Sequence, residues 1–337
     1  MPDTRPDPSK PQPFGEVPFS AIEEAAGRVY RIAKKTPVMT SRSFNREAGQ
    51  RGASRIEAFF KCENFQTSGA FKIRGATNFL LSIPEEGRAR GVVAFSSGNH
   101  AQAVAWAARE LGFRATIVMP TDAPPFKLAA TKAQGAHIEF YDRQTQDRAA
   151  IGARIAEETG ATLVPPFDHP WIIAGQGTAG LELLREVPDL DTFVVPLGGG
   201  GLASGCSIAA KHLNPEIHMI GVEPETGNDY FLSLQQGRPV EIPPPDTIAD
   251  GLRITVPGKH TFPILQRNLD EVILVSDDEI RQAMKFLLER LKIVVEPSGA
   301  ATAAAALFGK LPPVSKRVGL LLSGGNIGVE GLCELFQ

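Results

Sequence analysis

Cysteine is scarce in this chain. Its 337 residues hold three, Cys62, Cys206 and Cys333, far apart and with no CxxC pair. That excludes a disulfide-stapled scaffold and a CxxC zinc or redox motif, and it suits a reducing compartment. A basic excess is also absent, with 35 Lys and Arg against 38 Asp and Glu, a formal net charge of -3. Nothing is left over to neutralise a phosphate backbone, so nucleic acid is not an expected partner. No apolar run is long enough to span a bilayer, so no membrane partner is expected either. The opening stretch, MPDTRPDPSKPQPFGE, has no apolar core like that of a signal peptide. Residues 1–14 read as a polar, proline-rich disordered lead, and the cytoplasm follows by elimination.

What is present is the composition of a globular enzyme-sized chain, too long for one simple core and suited to two domains or one large split domain. Short apolar runs alternate with longer amphipathic segments. The runs at 58–62, 91–95, 115–119, 137–140, 192–196, 218–222, 271–275 and 318–322 predict strands. Helices are predicted between them at 68–81, 98–111, 146–158, 174–186, 202–213 and 298–307, among others. Alternation of this kind implies βαβ units and parallel sheets covered by helices on both faces. Four strands precede residue 142 and four follow residue 190, which predicts an α/β chain of two doubly wound open sheets. Residues 160–169 and 227–257 read as the long irregular parts, the second because Pro243, Pro244 and Pro245 cannot continue a helix or central strand.

Four segments carry chemistry. In Gln66-Thr67-Ser68-Gly69-Ala70-Phe71-Lys72-Ile73-Arg74, an isolated Lys72 sits near a predicted helix start beside Phe71. The positive end of the helix dipole and apolar neighbours both favour the neutral amine, the form that attacks carbonyls. Gly198-Gly199-Gly200-Gly201-Leu202 follows a strand and opens a helix. Backbone N–H groups there can converge on an anion, so the run reads as a phosphate cradle. It is neither the Walker pattern nor a dinucleotide fingerprint. Ser96-Ser97-Gly98-Asn99-His100 offers hydroxyls, an amide and free helix N–H groups to a small carboxylate, or alternatively a simple N-cap by Ser97. Ser323-Gly324-Gly325-Asn326 ends the last apolar strand, where a polar side chain faces the ligand crevice.

Together these segments resemble the fold-type II pyridoxal-phosphate enzymes, the tryptophan synthase β-like group, and within it the serine/threonine ammonia-lyases and serine racemases. The resemblance covers residues 15–335 and extends to Ala174-Gly175-Gln176-Gly177-Thr178, Thr247-Ile248-Ala249-Asp250-Gly251 and Val295-Glu296-Pro297-Ser298-Gly299-Ala300. It implies a large cofactor-binding domain of residues 15–85 and 167–337, a small domain of 86–166, a homodimer, and an amino-acid substrate. It implies pyridoxal 5'-phosphate attached to Lys72, with Phe71 beside the ring, Asn99 on the phenolic oxygen, Gly198, Gly199, Gly200, Gly201 and Leu202 on the phosphate, and Ser323 at the pyridine nitrogen. Ser96, Ser97, Asn99 and His100 would receive the substrate carboxylate. Lys72 would act as base, with Ser97 on the opposite face of the substrate. In racemase-like members a loop matching Glu223-Pro224-Glu225-Thr226-Gly227-Asn228-Asp229 binds a divalent cation. Here Glu223, Asp229 and the carbonyl of Gly227 would be its ligands, a set of oxygens suited to Mg²⁺ or Ca²⁺.

The implied reaction is β-elimination of water from a small 3-hydroxy amino acid, L-threonine or L-serine, with hydrolysis of the product to a 2-oxo acid and ammonia. The alternatives on the same scaffold are 3-hydroxyaspartate ammonia-lyase and serine racemase. Phe167 stands where animal serine racemases have asparagine and looks like the bacterial threonine enzymes. Ile254 replaces a hydroxyl residue usual in the group. Arg148 and Arg253 are candidates for a second substrate carboxylate. The chain leaves no room for the C-terminal regulatory domain of biosynthetic threonine ammonia-lyases. A non-enzymatic binding protein on this fold would be favoured by loss of the lysine, and Lys72 is present.

Overall fold

A computed structural model describes residues 17–52, 55–123 and 125–337. The expected lead of residues 1–14 lies outside them. Ten strands are found among the described residues: β1 (Val38–Thr40), β2 (Glu57–Cys62), β3 (Val92–Phe95), β4 (Ala115–Pro120), β5 (His137–Tyr141), β6 (Thr162–Leu163), β7 (Thr192–Pro196), β8 (His218–Pro224), β9 (Glu271–Val275) and β10 (Arg317–Leu322). They form a six-stranded sheet, β1-β2-β10-β7-β8-β9, and a four-stranded sheet, β5-β4-β3-β6. All pairings are parallel except the edge pair of β1 with β2.

Period-2 alternation explains why the larger sheet is covered on both faces. Phe59 and Phe60, Phe193 and Val194, and Leu320 and Leu321 are neighbours in sequence, yet the members of each pair fall in two different apolar cores. Successive side chains point to opposite faces, so an unbroken apolar strand needs a cover on each. The smaller sheet repeats the pattern, with Val92, Ala94, Ile117 and Met119 in one cluster and Val93, Val118 and Tyr141 in another.

The eight expected strands are present with ends shifted by at most two residues, but their grouping differs from the simple division at residue 142. Strand β2 pairs with β10, 260 positions on, from Arg317↔Glu57 to Leu322↔Cys62. Apolar alternation identifies a strand without naming its neighbour. β2 belongs to the larger sheet, and the smaller one draws all its strands from Val92 to Leu163. The stretch 227–257 is likewise not wholly irregular, since Asp229–Gln236 is a helix ending at a left-handed Gly237. Two helices start two or more residues later than expected. The expected helix from 68 begins at Lys72, because Ser68 (φ 64) and Gly69 (φ 74) both adopt left-handed backbone before it. The helix expected over 146–158 runs Arg148–Thr159, capped by Asp147.

Candidate active site

One cavity of about 830 Å³ opens at the carboxyl ends of β3, β7 and β10, the usual place for a ligand in an open parallel sheet. Its wall includes Phe71, Lys72, Ser96, Ser97, Asn99, His100, the whole run Gly198–Leu202 and Ser323. The four sequence segments, spread over more than 250 positions, therefore meet in one place.

Lys72 is the first residue of its helix (Lys72–Ser82), and its amine donates to the carbonyl of Pro166 at 2.7 Å. The amine also lies 5.3 Å from the ring centre of Phe71. No carboxylate pairs with it among the described residues, and burial pushes its pKa down to about 8. A substantial neutral fraction near neutral pH is what a carbonyl-attacking lysine needs. The next turn is fixed by a buried ionic cluster. Arg74 donates to Glu63 at 2.7 and 2.8 Å and to Glu182 at 2.6 and 2.9 Å, while Lys61 donates to Glu182 at 2.6 Å. All four side chains are at most 5% exposed. Two cations face two anions, so the cluster is neutral, and removing one partner of such a pair costs about 3–5 kcal/mol.

The glycine run makes a bed that no larger residue could form. Gly200 has φ +84, and a Cβ there would lie 2.3 Å from the hydroxyl of Tyr230. A Cβ on Gly199 would lie 2.3 Å from the ring of Phe167. The helix Gly201–Leu213 starts directly on this bed without a side-chain cap, so its first N–H groups remain available to an anion. These features fit a phosphate group.

At the second helix start the capping alternative fails. The N-cap of Asn99–Leu111 is Gly98, with no side-chain cap, and Ser97 lines the cavity instead. Ser96 accepts from the Gly98 N–H at 3.1 Å and so shapes the turn. The imidazole of His100 is buried and donates through Nε2 to the Val164 carbonyl at 3.0 Å. Burial, reinforced by the charge of Lys72, pushes its pKa down to about 3. His100 therefore offers the site a backbone N–H at a helix start, not a charged ring.

Sequence reading gives no role to the groups that hold Asn99. Its amide nitrogen donates to Glu296 at 2.6 Å, and its oxygen accepts from Asn326 at 2.8 Å. Glu296 is 3% exposed. Burial, reinforced by the charge of Asp250, pushes its carboxyl up to about 7. Asp250 in turn accepts from Lys127 at 2.5 Å across the cavity wall. Of the two arginines expected near a second carboxylate, Arg253 donates to the carbonyl of Thr247. Arg148 lines the cavity, its guanidinium 5.9 Å from the ring centre of Phe95. Phe167 and Ile254 form part of the same wall.

Glu223 and Asp229 lie together, buried, away from the cavity. Glu223 accepts from the backbone of Tyr230 and Phe231 at 3.0 and 2.9 Å. Neither carboxylate oxygen of Asp229 has a hydrogen-bond donor. Gly227 closes the turn between them through its N–H to Pro224. No group of three or more His, Cys, Asp or Glu side chains placed to hold a metal ion is found among the described residues. The pair supplies at most two carboxylate ligands, and the Asp229 oxygens without a hydrogen-bond partner are of the kind a divalent cation takes.

Comparison with known proteins agrees with this chemistry. Residues 29–324 match the family described as pyridoxal-phosphate dependent enzyme. The chain is 49% identical over 319 residues to the L-threo-3-hydroxyaspartate ammonia-lyase of Saccharomyces cerevisiae, covering 95% of this chain and 96% of that one. It is 47% identical to the serine racemase of Schizosaccharomyces pombe, over 93% of this chain and 95% of the other. Among solved structures, maize serine racemase superposes with a TM-score of 0.89 at 42% identity, covering 95% and 96% of the two chains.

Proposed function

The chain belongs to the pyridoxal-phosphate-dependent enzymes, and on that premise we propose that it eliminates water from a small 3-hydroxy amino acid to an enamine, whose hydrolysis takes the water up again and leaves a 2-oxo acid and ammonia. The observation that carries this reading is the meeting of Lys72, the glycine bed and the uncapped helix start at Asn99 around one cavity. Lys72 would be the cofactor's attachment point, Gly198–Leu202 would hold its phosphate, and Phe71, Asn99 and Ser323 would contact its ring. When bound, the cofactor supplies an electron sink for negative charge developing at the substrate Cα.

The remaining work falls to this chain's own groups. The helix start at Ser97–His100 binds the substrate carboxylate through free N–H groups. Lys72, with its lowered pKa, takes the Cα proton. Ser323 is a neutral hydroxyl and would put no negative charge against the ring nitrogen of a bound cofactor. Ser97 would serve the face away from Lys72, the position a racemase reaction requires.

Arg148 favours a dicarboxylic substrate, 3-hydroxyaspartate. Lys127 is held by Asp250, Arg143 by Asp122, and Arg253 by a carbonyl. Arg148 has no such partner among the described residues, so it is the cavity cation open to a second carboxylate. The apolar wall of Phe167 and Ile254 favours threonine instead. The deciding experiment incubates the enzyme with L-serine, L-threonine and both 3-hydroxyaspartates and measures 2-oxo acid and ammonia. Release from none of the four would remove the proposal.

The acidic pair carries a second part of the reading, a bound Mg²⁺ or Ca²⁺ at Glu223 and Asp229. It is supported by the orphaned Asp229 carboxylate. A homodimer remains the expected assembly. No helix among the described residues is long and apolar enough to cross a membrane.

A further inference from the structure

A run of four glycines is easily rearranged. Each peptide plane between glycines can turn over, because no side chain resists the change in φ and ψ. A cradle that must aim N–H groups at an anion therefore needs something to fix its planes. Beneath the run, on the side away from the cavity, lie two hydroxyls. Tyr230 donates to Thr261 Oγ1 at 2.7 Å, and Thr261 donates to the carbonyl of Gly199 at 3.0 Å. Neither residue is in the cavity wall.

Planarity makes this bond directional. In a trans peptide the C=O of Gly199 and the N–H of Gly200 point opposite ways. Anchoring the carbonyl to Thr261 turns the Gly200 N–H toward the cavity. Turned over, the plane would aim a carbonyl dipole at the anion. We propose that Thr261, seconded by Tyr230, is a positioning residue that fixes the Gly199–Gly200 peptide so that its N–H faces the cofactor phosphate. The inference rests on the reading of Gly198–Leu202 as a phosphate cradle.

Both hydroxyls are themselves held. Asp168 accepts from the N–H groups of Lys259, His260 and Thr261 at 2.8, 2.8 and 3.2 Å, which pins the helix Thr261–Asn268 at its start. Glu223 holds the N–H groups of Tyr230 and Phe231. Tyr230 and Thr261 are both 0% exposed, so no water competes for the Gly199 carbonyl from their side. The relay has one direction. The tyrosine's shorter bond is to the threonine, with the Gly199 carbonyl farther off at 3.5 Å, and the threonine gives its own proton to the glycine.

The test compares two aldehydes that differ only in the phosphate. Full-length wild type, Thr261→Val and Tyr230→Phe are each titrated with pyridoxal phosphate and with pyridoxal, following absorbance to obtain Kd. Thr261→Val is expected to weaken pyridoxal phosphate about tenfold, the loss of one hydrogen bond to a charged group. Tyr230→Phe should have a smaller effect of the same kind. Pyridoxal should bind all three proteins within about twofold. Thr261→Ser, which restores the hydroxyl, should restore the wild-type preference and shows that a loss in the valine variant is not misfolding. Equal weakening of both aldehydes, or an unchanged Kd for pyridoxal phosphate in Thr261→Val, overturns the proposal. A wild type that binds pyridoxal as tightly as pyridoxal phosphate overturns the cradle itself, and the proposal with it.

Discussion

The amide of Asn99 donates to the carboxylate of Glu296 across 2.6 Å, joining two helix starts 197 positions apart. The contact sets the orientation of Asn99, since Asn326 donates to the other end of the same amide. Its second N–H is left as the donor for an oxygen in the cavity. It also has a pH signature. The Glu296 carboxyl is raised to about 7, above the ordinary value of about 4.3. Between those values the folded state holds a proton that the unfolded chain has released, so this group's contribution to stability falls as pH rises. Glu296→Gln keeps an acceptor oxygen and removes the titration. Melting wild type and variant from pH 5 to pH 8 should show the variant gaining on the wild type by about 1–3 kcal/mol. A pH-independent difference would contradict the assignment.

Arg148 sets the next expectation. Replacing it with Met should raise KM for L-threo-3-hydroxyaspartate by about tenfold or more, the loss of one charge-assisted hydrogen bond. L-serine turnover should stay within about twofold, because serine offers no second carboxylate. Equal losses on both substrates would mean that Arg148 supports the fold of the small sheet and does not read the substrate.

The buried acidic pair should respond to divalent cations. Mg²⁺ or Ca²⁺ should raise the melting temperature of the wild type, and a chelator should reverse the gain. Asp229→Ala removes the two orphaned oxygens, so its melting temperature should no longer depend on cation. A wild type indifferent to both cations and chelator would leave the loop without a metal.

The chemistry-bearing segments were legible because each is local. Lys72, the glycine run, the Ser96–His100 turn and Ser323 each sit at a strand-to-helix junction that the sequence marks by itself. What was not legible depends on contacts between distant elements. The pairing of β2 with β10 joins residues 260 positions apart, and no local pattern announces it. Glu296 and Asn326 acquire a role only once folding brings them to Asn99. Arg74 reads as an ordinary helical arginine until Glu63 and Glu182 close around it. The late start of the Lys72 helix turns on a left-handed Ser68, which propensity does not foresee. A Cβ on its neighbour Gly69 would lie 2.1 Å from the Asn326 oxygen, so that approach is also set from 257 positions away.

Attachment of the cofactor to Lys72 can be read chemically, by borohydride reduction of the holoenzyme followed by peptide mapping. A single stable adduct is expected on the peptide containing Lys72, and none in Lys72→Ala. An adduct on another lysine, such as Lys127 in the same cavity wall, would contradict it.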